Sequence, residues 1–255
     1  AALDAGKHVL VEKPLGLTVA DCDAAIAAAK RGGKILQIGV ELRYAPVTAN
    51  LLALLRRGDF GPLRGLWVHH FRSPLGKGTW RGQPDQYGDQ FLDLGIHYLD
   101  LANFLVGAAP TRASSAAGFT SPAPDFTHSW TTLDYPNDVR VCVGLFFICR
   151  RSGGIRIGAV GETGRLEAAL DQNEITVIDS QTGNVTVHKT LPSGRPVYGF
   201  SGTYEQHLSF LDCIRTGQPP LADGESGRLS VAVSLAASES LRRGQPVALD
   251  KNRKT

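Results

Sequence analysis

The chain has 255 residues, of which 42% are hydrophobic and 20% are charged, and its formal net charge is +3. These values exclude a disordered or fibrous chain. The scattered basic residues argue against nucleic acid as a partner, and no apolar run of about 18 residues predicts a transmembrane helix. Four cysteines without a C-x-x-C motif are typical of a reduced, intracellular protein, so we expect a cytoplasmic location.

The first forty residues predict a strand, a helix and a second strand. The apolar run His8–Glu12 indicates a buried strand, and the alanine-rich segment Ala20–Lys30 indicates a helix. Thr18 and Asp21 have the spacing of a capping box at the start of that helix. Lys34–Val40 is again apolar and predicts the second strand. Such a βαβ unit belongs to an open parallel sheet, which binds ligands at the carboxyl ends of its strands.

A glycine-rich dinucleotide turn, G-x-G-x-x-G, is not found between a strand and a helix of this sequence. The chain also contains no methionine, even at position 1. We therefore expect the chain to begin part-way through a nucleotide-binding domain and, as it stands, to bind NAD(P) weakly or not at all.

After Val40 the pattern indicates a second unit of the α+β class, in which helices cover one face of a large antiparallel or mixed sheet. Its predicted helices are 49–57, 90–106, about 203–216 and about 225–243, and its predicted strands are 63–71 and about 127–135, 139–149, 154–160, 165–170, 174–179 and 184–190. The run Val139–Cys149 is too apolar for a sheet face left in water. It predicts either an oligomer interface or a central strand that is covered on both faces within one subunit.

The predicted helix 90–106 is apolar almost all round and carries three polar residues on one face. Asp93, His97 and Asp100 have the spacing i, i+4, i+7. Buried groups of this kind need partners, so they form a structural network, with His97 bonded to Asp93 or to a main-chain carbonyl, or else they face a ligand. A metal pair of Asp93 and His97 is a weaker alternative, because no third ligand is apparent. Gly95 in mid-helix predicts a close approach by another element.

Lys13 directly follows the first strand and precedes Pro14. This is where an open parallel sheet places ligands, and a desolvated lysine can act as an acid or base. The alternative is a surface pair of Glu12 and Lys13 in a loop.

Two pairs of adjacent residues are the last candidates for a functional site. His69 and His70 lie on one predicted strand and point to opposite faces, so they cannot chelate one ion together and are interpreted as structural. Trp80 and Arg81 lie in a Gly/Pro-rich loop, where an indole beside a guanidinium suits a flat or phosphorylated ligand, or else anchors the loop.

Together these segments resemble the Gfo/Idh/MocA family, named for glucose–fructose oxidoreductase and inositol dehydrogenase. Ala5–Thr18 resembles its E-K-P motif, and Ile38–Pro46 the segment that leaves the nucleotide-binding domain. Trp80–Gly82 resembles its W-R motif and Asp89–Asp100 its D-x-G-x-H signature, while Phe210–Leu249 resembles its C-terminal helices. The resemblance covers nearly the whole chain in order, although Asp89 and Gln90 stand where part of a glycine run is common.

The resemblance implies an α/β protein in which residues 1–42 are the C-terminal part of an NAD(P)-binding Rossmann domain. Residues 43–255 would form a substrate-binding and oligomerisation domain. It implies hydride transfer between NAD or NADP and a carbinol carbon of a sugar, inositol or related polyol, without a metal, in a homodimer or homotetramer. The catalytic residues would be Lys13, Asp93 and His97, and the cofactor contacts Glu12, Lys13, Arg43, Trp80 and Arg81.

Two other functions fit the same pattern. One is a redox-neutral enzyme, such as a glycosidase or epimerase, that retains its NAD and returns the hydride to the sugar. The other is a non-catalytic regulator that binds a sugar or a dinucleotide; loss of the E-K-P lysine would favour it, and Lys13 is present.

Overall fold

A computed structural model describes residues 1–74, 89–119, 126–149, 153–192 and 201–249. Within these ranges the chain forms a small parallel sheet of two strands and a nine-stranded mixed sheet. This is the α/β architecture that the sequence predicts.

The N-terminal unit consists of strand β1 (Val9–Glu12), helix α1 (Val19–Gly32) and strand β2 (Leu36–Gly39), and its two strands pair in parallel. The predicted capping box is confirmed, because Thr18 accepts from the main-chain N–H of Asp21 while the Asp21 carboxylate accepts from that of Thr18. The helix ends at Gly33, which has a left-handed conformation with φ of 58°.

The nine-stranded sheet has the order β10-β9-β8-β7-β3-β6-β5-β4-β11, in which β3 and β6 are parallel and every other neighbouring pair is antiparallel. Its strands are β3 (Leu63–Phe71), β4 (Arg112–Gly118), β5 (His128–Asp134), β6 (Arg140–Phe146), β7 (Gly154–Gly161), β8 (Gly164–Ala169), β9 (Glu174–Asp179), β10 (Val185–Lys189) and β11 (Val247–Ala248). The strands β4 and β11 were not among those predicted.

Four further helices accompany this sheet in the described residues. They are α2 (Pro46–Arg57), α3 (Ile96–Val106), α4 (Thr203–Thr216) and α5 (Gly224–Arg243). The predicted helix 90–106 divides into a π-helical turn, Phe91–Gly95, followed by α3. No helix among the described residues is both long and apolar enough to cross a bilayer.

The main core lies between α3, α5 and one face of the sheet, with Leu99, Leu133 and Leu145 among its fully buried side chains. Leu145 also explains Gly95, since a Cβ there would lie 3.2 Å from the Leu145 Cδ1 atom, so the predicted close approach is confirmed.

Helix α5 also packs against the N-terminal unit. Gly227 of α5 lies so close to Ile38 of β2 that a Cβ atom there would meet the Ile38 side chain at 2.7 Å. The domain boundary predicted between residues 42 and 43 falls inside a short 3₁₀ turn, Glu41–Tyr44, that connects β2 to α2. Division at that point stays a prediction.

Candidate functional site

Three charged or polar contacts join the N-terminal unit and the 3₁₀ turn after it to the helical segment formed by the π turn and α3. Lys13 meets Asp93, Glu41 meets His97, and Arg43 meets Asp100. Lys13 follows β1 and Glu41 begins the turn just after β2. The contacts therefore lie at the carboxyl ends of the two parallel strands, where open α/β sheets bind ligands.

The first contact holds the Lys13 ammonium group. Its Nζ lies 3.1 Å from Asp93 Oδ1 and also donates to the main-chain oxygen of Asp93. The side chains of Lys13 and Asp93 are 12% and 3% exposed. Asp93 belongs to the π turn, a local distortion found often at functional sites. The buried Asp93 carboxylate thus orients the Lys13 ammonium group, and the Lys13 side chain is nearly buried but keeps a small part exposed to solvent.

Asp89 stabilises the start of this segment. Its Oδ1 accepts hydrogen bonds from the main-chain N–H groups of Phe91 (2.9 Å) and Leu92 (3.0 Å), and its Oδ2 accepts from Ser238 of α5. Asp89 therefore acts as an N-terminal cap that holds the π turn against α5.

The second contact joins the His97 ring to Glu41. Nδ1 of His97 lies 3.2 Å from Glu41 Oε2, at ion-pair distance, although the alignment falls short of a regular hydrogen bond. Burial disfavours the Glu41 carboxylate, but the attraction of His97 and Lys13 outweighs it, and the pKa of Glu41 lies below its usual value. In the structural-network alternative, His97 would bond to Asp93 or a main-chain carbonyl; the partner observed is instead Glu41, which was not predicted from the sequence.

Two aromatic rings lie under His97. His70 of β3 stacks on Tyr98, with ring centroids 4.5 Å apart, and its Nδ1 has no partner among the described residues. Burial, assisted by the positive charge of Arg72 and by His97, lowers the pKa of His70 to about 3. Burial, assisted by Glu41, raises the pKa of Tyr98. Both rings are therefore neutral, and they form an uncharged floor to the site.

The neighbouring His69 lies on the opposite face of the sheet. Its ring is 5.1 Å from that of Trp130, edge to face. This confirms that His69 and His70 point to opposite faces.

The third contact is enclosed by protein. Arg43 donates to both Asp100 oxygens at 2.7 Å and to Leu221 O at 3.0 Å, while Ser230 donates to Asp100 at 2.5 Å. The guanidinium also lies 5.0 Å from the ring centroid of Phe104. This differs from the cofactor contact predicted for Arg43, because all three guanidinium nitrogens face protein acceptors in the interior. Arg43 is instead a structural link between the 3₁₀ turn and α3.

Three other residues were predicted to contact the cofactor: Glu12, Trp80 and Arg81. Glu12 is the exposed last residue of β1, and its carboxylate lies beside Gly39, where an added Cβ would be 3.3 Å from Oε1. Trp80 and Arg81 lie outside the described residues. Within the described ranges, no three His, Cys, Asp or Glu side chains are grouped as a metal site would require.

Three further members of this site were not predicted from the sequence: Glu41, His70 and Tyr98. Glu41 could have been found by the rule that selected Lys13, since each comes just after a strand of the parallel pair. His70 and Tyr98 carry no such signal, because a histidine on a strand and a tyrosine in an apolar helix are ordinary core residues. Only the packing of α3 on β3 brings them under His97.

In chemical terms, the site presents an ammonium group and an imidazole within the influence of a shared carboxylate, since both Lys13 and His97 lower the pKa of Glu41. A hydroxyl group placed beside them could be stabilised as an alkoxide by Lys13 and could give its proton to His97.

Comparison with protein families identifies two models in chain order. Residues 1–40 match "Oxidoreductase family, NAD-binding Rossmann fold", and residues 48–167 match "GFO/IDH/MocA C-terminal domain". Among curated proteins, scyllo-inositol 2-dehydrogenase (NAD(+)) of Bacillus subtilis is 25% identical over 263 residues, which cover 99% of this chain and 73% of that protein. Myo-inositol 2-dehydrogenase of Thermotoga maritima is also 25% identical, over 98% of this chain and 75% of its own length.

Solved structures resemble the chain over a similar extent. Aldose-aldose oxidoreductase of Caulobacter crescentus, complexed with glycerol, has a TM-score of 0.81 at 27% identity, covering 97% of this chain and 74% of its own. A levoglucosan dehydrogenase complexed with NADH and levoglucosan has a TM-score of 0.87 at 18% identity, covering 98% and 75% of the two chains, which shows a common fold.

Proposed function

The chain belongs to the GFO/IDH/MocA family of NAD-binding oxidoreductases, and we propose that it transfers hydride between NAD or NADP and a carbinol carbon of a sugar, inositol or related polyol. The observation that carries the proposal is that the Lys13–Asp93 contact and the His97–Glu41 contact both lie at the carboxyl ends of β1 and β2. The substrates named for the relatives, an inositol in two of them, support a polyol as the substrate class.

The described residues fit the nicotinamide end of such a cofactor. The exposed carboxylate of Glu12 and the ammonium of Lys13 border the edge of the parallel sheet, and Gly39 lets the two strand ends approach closely. Glu12 and Lys13 would contact the cofactor there, and Trp80 and Arg81 stay predicted contacts. When bound, the cofactor supplies the acceptor or donor of the hydride.

The roles of the protein groups follow from charge. Oxidation of an alcohol removes a proton from oxygen, and we assign that proton to His97, because an imidazole can accept and return it near neutral pH. Lys13 donates to the same oxygen and stabilises the developing alkoxide. Asp93 orients the ammonium group and balances its charge, since it accepts from Nζ at 3.1 Å. In the reducing direction, His97 returns the proton to the oxygen.

These assignments predict the kinetics of Lys13→Ala and His97→Ala in a protein whose nucleotide-binding site is complete, because the present sequence carries no glycine-rich dinucleotide turn. Each should lower kcat by about 10²–10⁴, the range typical of acid–base groups. The double variant should lose less than the two losses combined, because both residues act on one oxygen. The assay follows NADH formation with inositols and aldoses, and exposed Lys30→Ala and His207→Ala serve as matched controls.

Near-normal turnover in both active-site variants would refute the catalytic assignments. Turnover of the sugar without net NADH would instead favour the redox-neutral alternative. An increase in KM alone would reduce Lys13 and His97 to substrate binders.

The second face of the large sheet supports a homodimer or homotetramer. Helices α3 and α5 cover the face that carries the main core. The opposite face carries an aromatic cluster of His69, Phe71, Trp130 and Phe146, whose ring centroids lie about 5–6 Å apart between neighbours. Trp130 is 44% exposed. An aromatic patch of this kind usually marks an interface, and a second copy of the same chain is the commonest partner.

Light scattering at micromolar concentration tests the oligomer. A mass of two or four chains supports it, and a monomer would remove the claim.

The four cysteines are free thiols, which supports the proposed cytoplasmic location.

A further inference from the structure

Glu41 occupies a place that the proposed reaction leaves unexplained. It is the second residue after β2 and the first of the 3₁₀ turn, its side chain is 23% exposed, and its Oε2 lies 3.2 Å from His97 Nδ1. A carboxylate brought so close to the imidazole of a proposed proton acceptor can affect both the direction and the protonation of the ring.

The accessibility of the ring supports a specific orientation. Nδ1 of His97 is buried and faces only Glu41 among the described residues. If Nδ1 keeps its proton toward the carboxylate, Nε2 is the nitrogen that is free to accept a proton. The long, imperfectly aligned contact is of the kind that tightens once a substrate is bound.

We propose that Glu41 is the positioning residue of His97: its carboxylate holds the Nδ1–H edge of the ring, presents Nε2 to the substrate hydroxyl, and stabilises the imidazolium that forms. This rests on the proposed function, in which His97 is the proton acceptor. The substrate O–H bond breaks, its proton bonds to Nε2, and the electron pair left on oxygen forms the C=O bond as the carbon gives up its hydride, for which a bound NAD(P) would be the acceptor. Glu41 stays ionised throughout.

The surrounding charges agree with that role. Three groups lie near the His97 ring: Glu41 on the 3₁₀ turn, His70 on β3 and Tyr98 on the same helix. Asp93 lies one turn earlier in the same helical segment, Lys13 acts on Glu41, and the positive charge of Arg72 acts on His70 and Tyr98. His70 and Tyr98 are neutral, because burial lowers the pKa of the first and raises that of the second. Asp93 is paired with Lys13. Glu41 is thus the carboxylate in direct contact with the His97 ring.

The test measures the titration of the His97 ring by NMR, which does not depend on catalysis. The Cε1–Hε1 signal is assigned by its loss in His97→Gln. In Glu41→Gln we expect the titration curve of this signal to move to lower pH, because the amide no longer attracts the protonated ring as the Glu41 carboxylate does. Glu41→Asp, which keeps the charge at a greater distance, should give a smaller shift in the same direction, and it serves as the second variant if Glu41→Gln does not fold. Glu162→Gln, an exposed glutamate paired with Arg64, should give none.

The corresponding kinetic measurement is the pH profile of log kcat/KM. Its acid limb, the fall at low pH, reports protonation of the proton acceptor in the free protein. In Glu41→Gln the limb should move to lower pH with the NMR curve, and kcat should fall about tenfold with little change in KM. A residue that merely supports the fold would lower stability and leave this limb in place. An unchanged His97 titration curve in a folded Glu41→Gln or Glu41→Asp variant would overturn the proposal.

The proposed function fails separately from this inference. If His97→Gln kept normal turnover while the NMR curve still shifted in Glu41→Gln, the proton-acceptor role of His97 would be wrong, and Glu41 would still position the ring.

Discussion

The neutral state of buried His70 predicts a loss of stability in mild acid. The ring stacks on Tyr98 and contacts Phe147 edge to face, and burial lowers its pKa from 6.5 to about 3. In the unfolded chain the same ring is exposed and titrates near 6.5. Between pH 6.5 and about 3 the unfolded state therefore binds a proton that the folded state does not, and the free energy of unfolding falls as the pH falls.

The size of this decrease in the free energy of unfolding follows from the pH interval over which only the unfolded ring is protonated. From pH 6.5 to 5.0 the folded ring stays neutral while the unfolded ring is protonated, at about 1.4 kcal/mol per pH unit, which gives about 2 kcal/mol. Above pH 6.5 the ring is neutral in both states and contributes no pH dependence. A loss of about 2 kcal/mol is a large part of the stability of an ordinary domain.

The variant His70→Phe isolates this contribution, because phenylalanine keeps a stacking ring and cannot be protonated. Urea unfolding at pH 7.5 and pH 5.0 should show a decrease that is about 2 kcal/mol larger for the wild type than for His70→Phe. His207→Phe, at an exposed position of α4, should follow the wild type. Equal decreases in the wild type and in His70→Phe would refute the reasoning, since they would mean that His70 binds its proton equally in both states.

Two further predictions concern the buried ion pair and the open sheet face. Asp100→Asn should lower the free energy of unfolding by about 3–5 kcal/mol, because it leaves the buried Arg43 cation without its counter-charge; urea unfolding measures this, and a loss below 1 kcal/mol would contradict it. Trp130→Glu should shift the light-scattering mass toward the monomer with an unchanged far-UV spectrum, because it places a charge on the proposed interface; an unchanged oligomer would exclude Trp130 from that interface.

Local signals in the sequence were sufficient for most of the elements. Strand β3 spans Leu63–Phe71 as predicted, and the Thr18–Asp21 capping box and the end of α2 at Gly58 follow from short-range chemistry. Strand β4 was missed because its sequence, RASSAAG, consists mostly of small residues and lacks an alternating apolar pattern. It is a strand because it pairs with β5 and packs under α5, which is tertiary information.

The candidate site, like the fold, could be predicted from the sequence only in part. The spacing of Asp93, His97 and Asp100 placed them on one face, but it could not identify their partners, which lie more than fifty residues away in the sequence. The π turn was also invisible, because its residues read as ordinary helix. Arg43 followed the strand edge in the sequence and was predicted to contact the cofactor, whereas the fold turns it inward to Asp100.

Along this helix, the degree of burial distinguishes side chains that support the fold from side chains that can take part in chemistry. The Asp100 and Arg43 side chains are 1% and 6% exposed, and further bonds from Ser230 and to Leu221 satisfy both charges, so a change in protonation would leave a buried charge unpaired. The His97 and Glu41 side chains are 13% and 23% exposed, and one imperfect contact joins them. A group that exchanges a proton with a substrate needs one position that the protein does not fill. His97 meets this requirement and Asp100 does not, although both lie on the same face of the helix. We therefore propose that the proton transfer takes place at the end of the helix that faces Lys13 and Glu41.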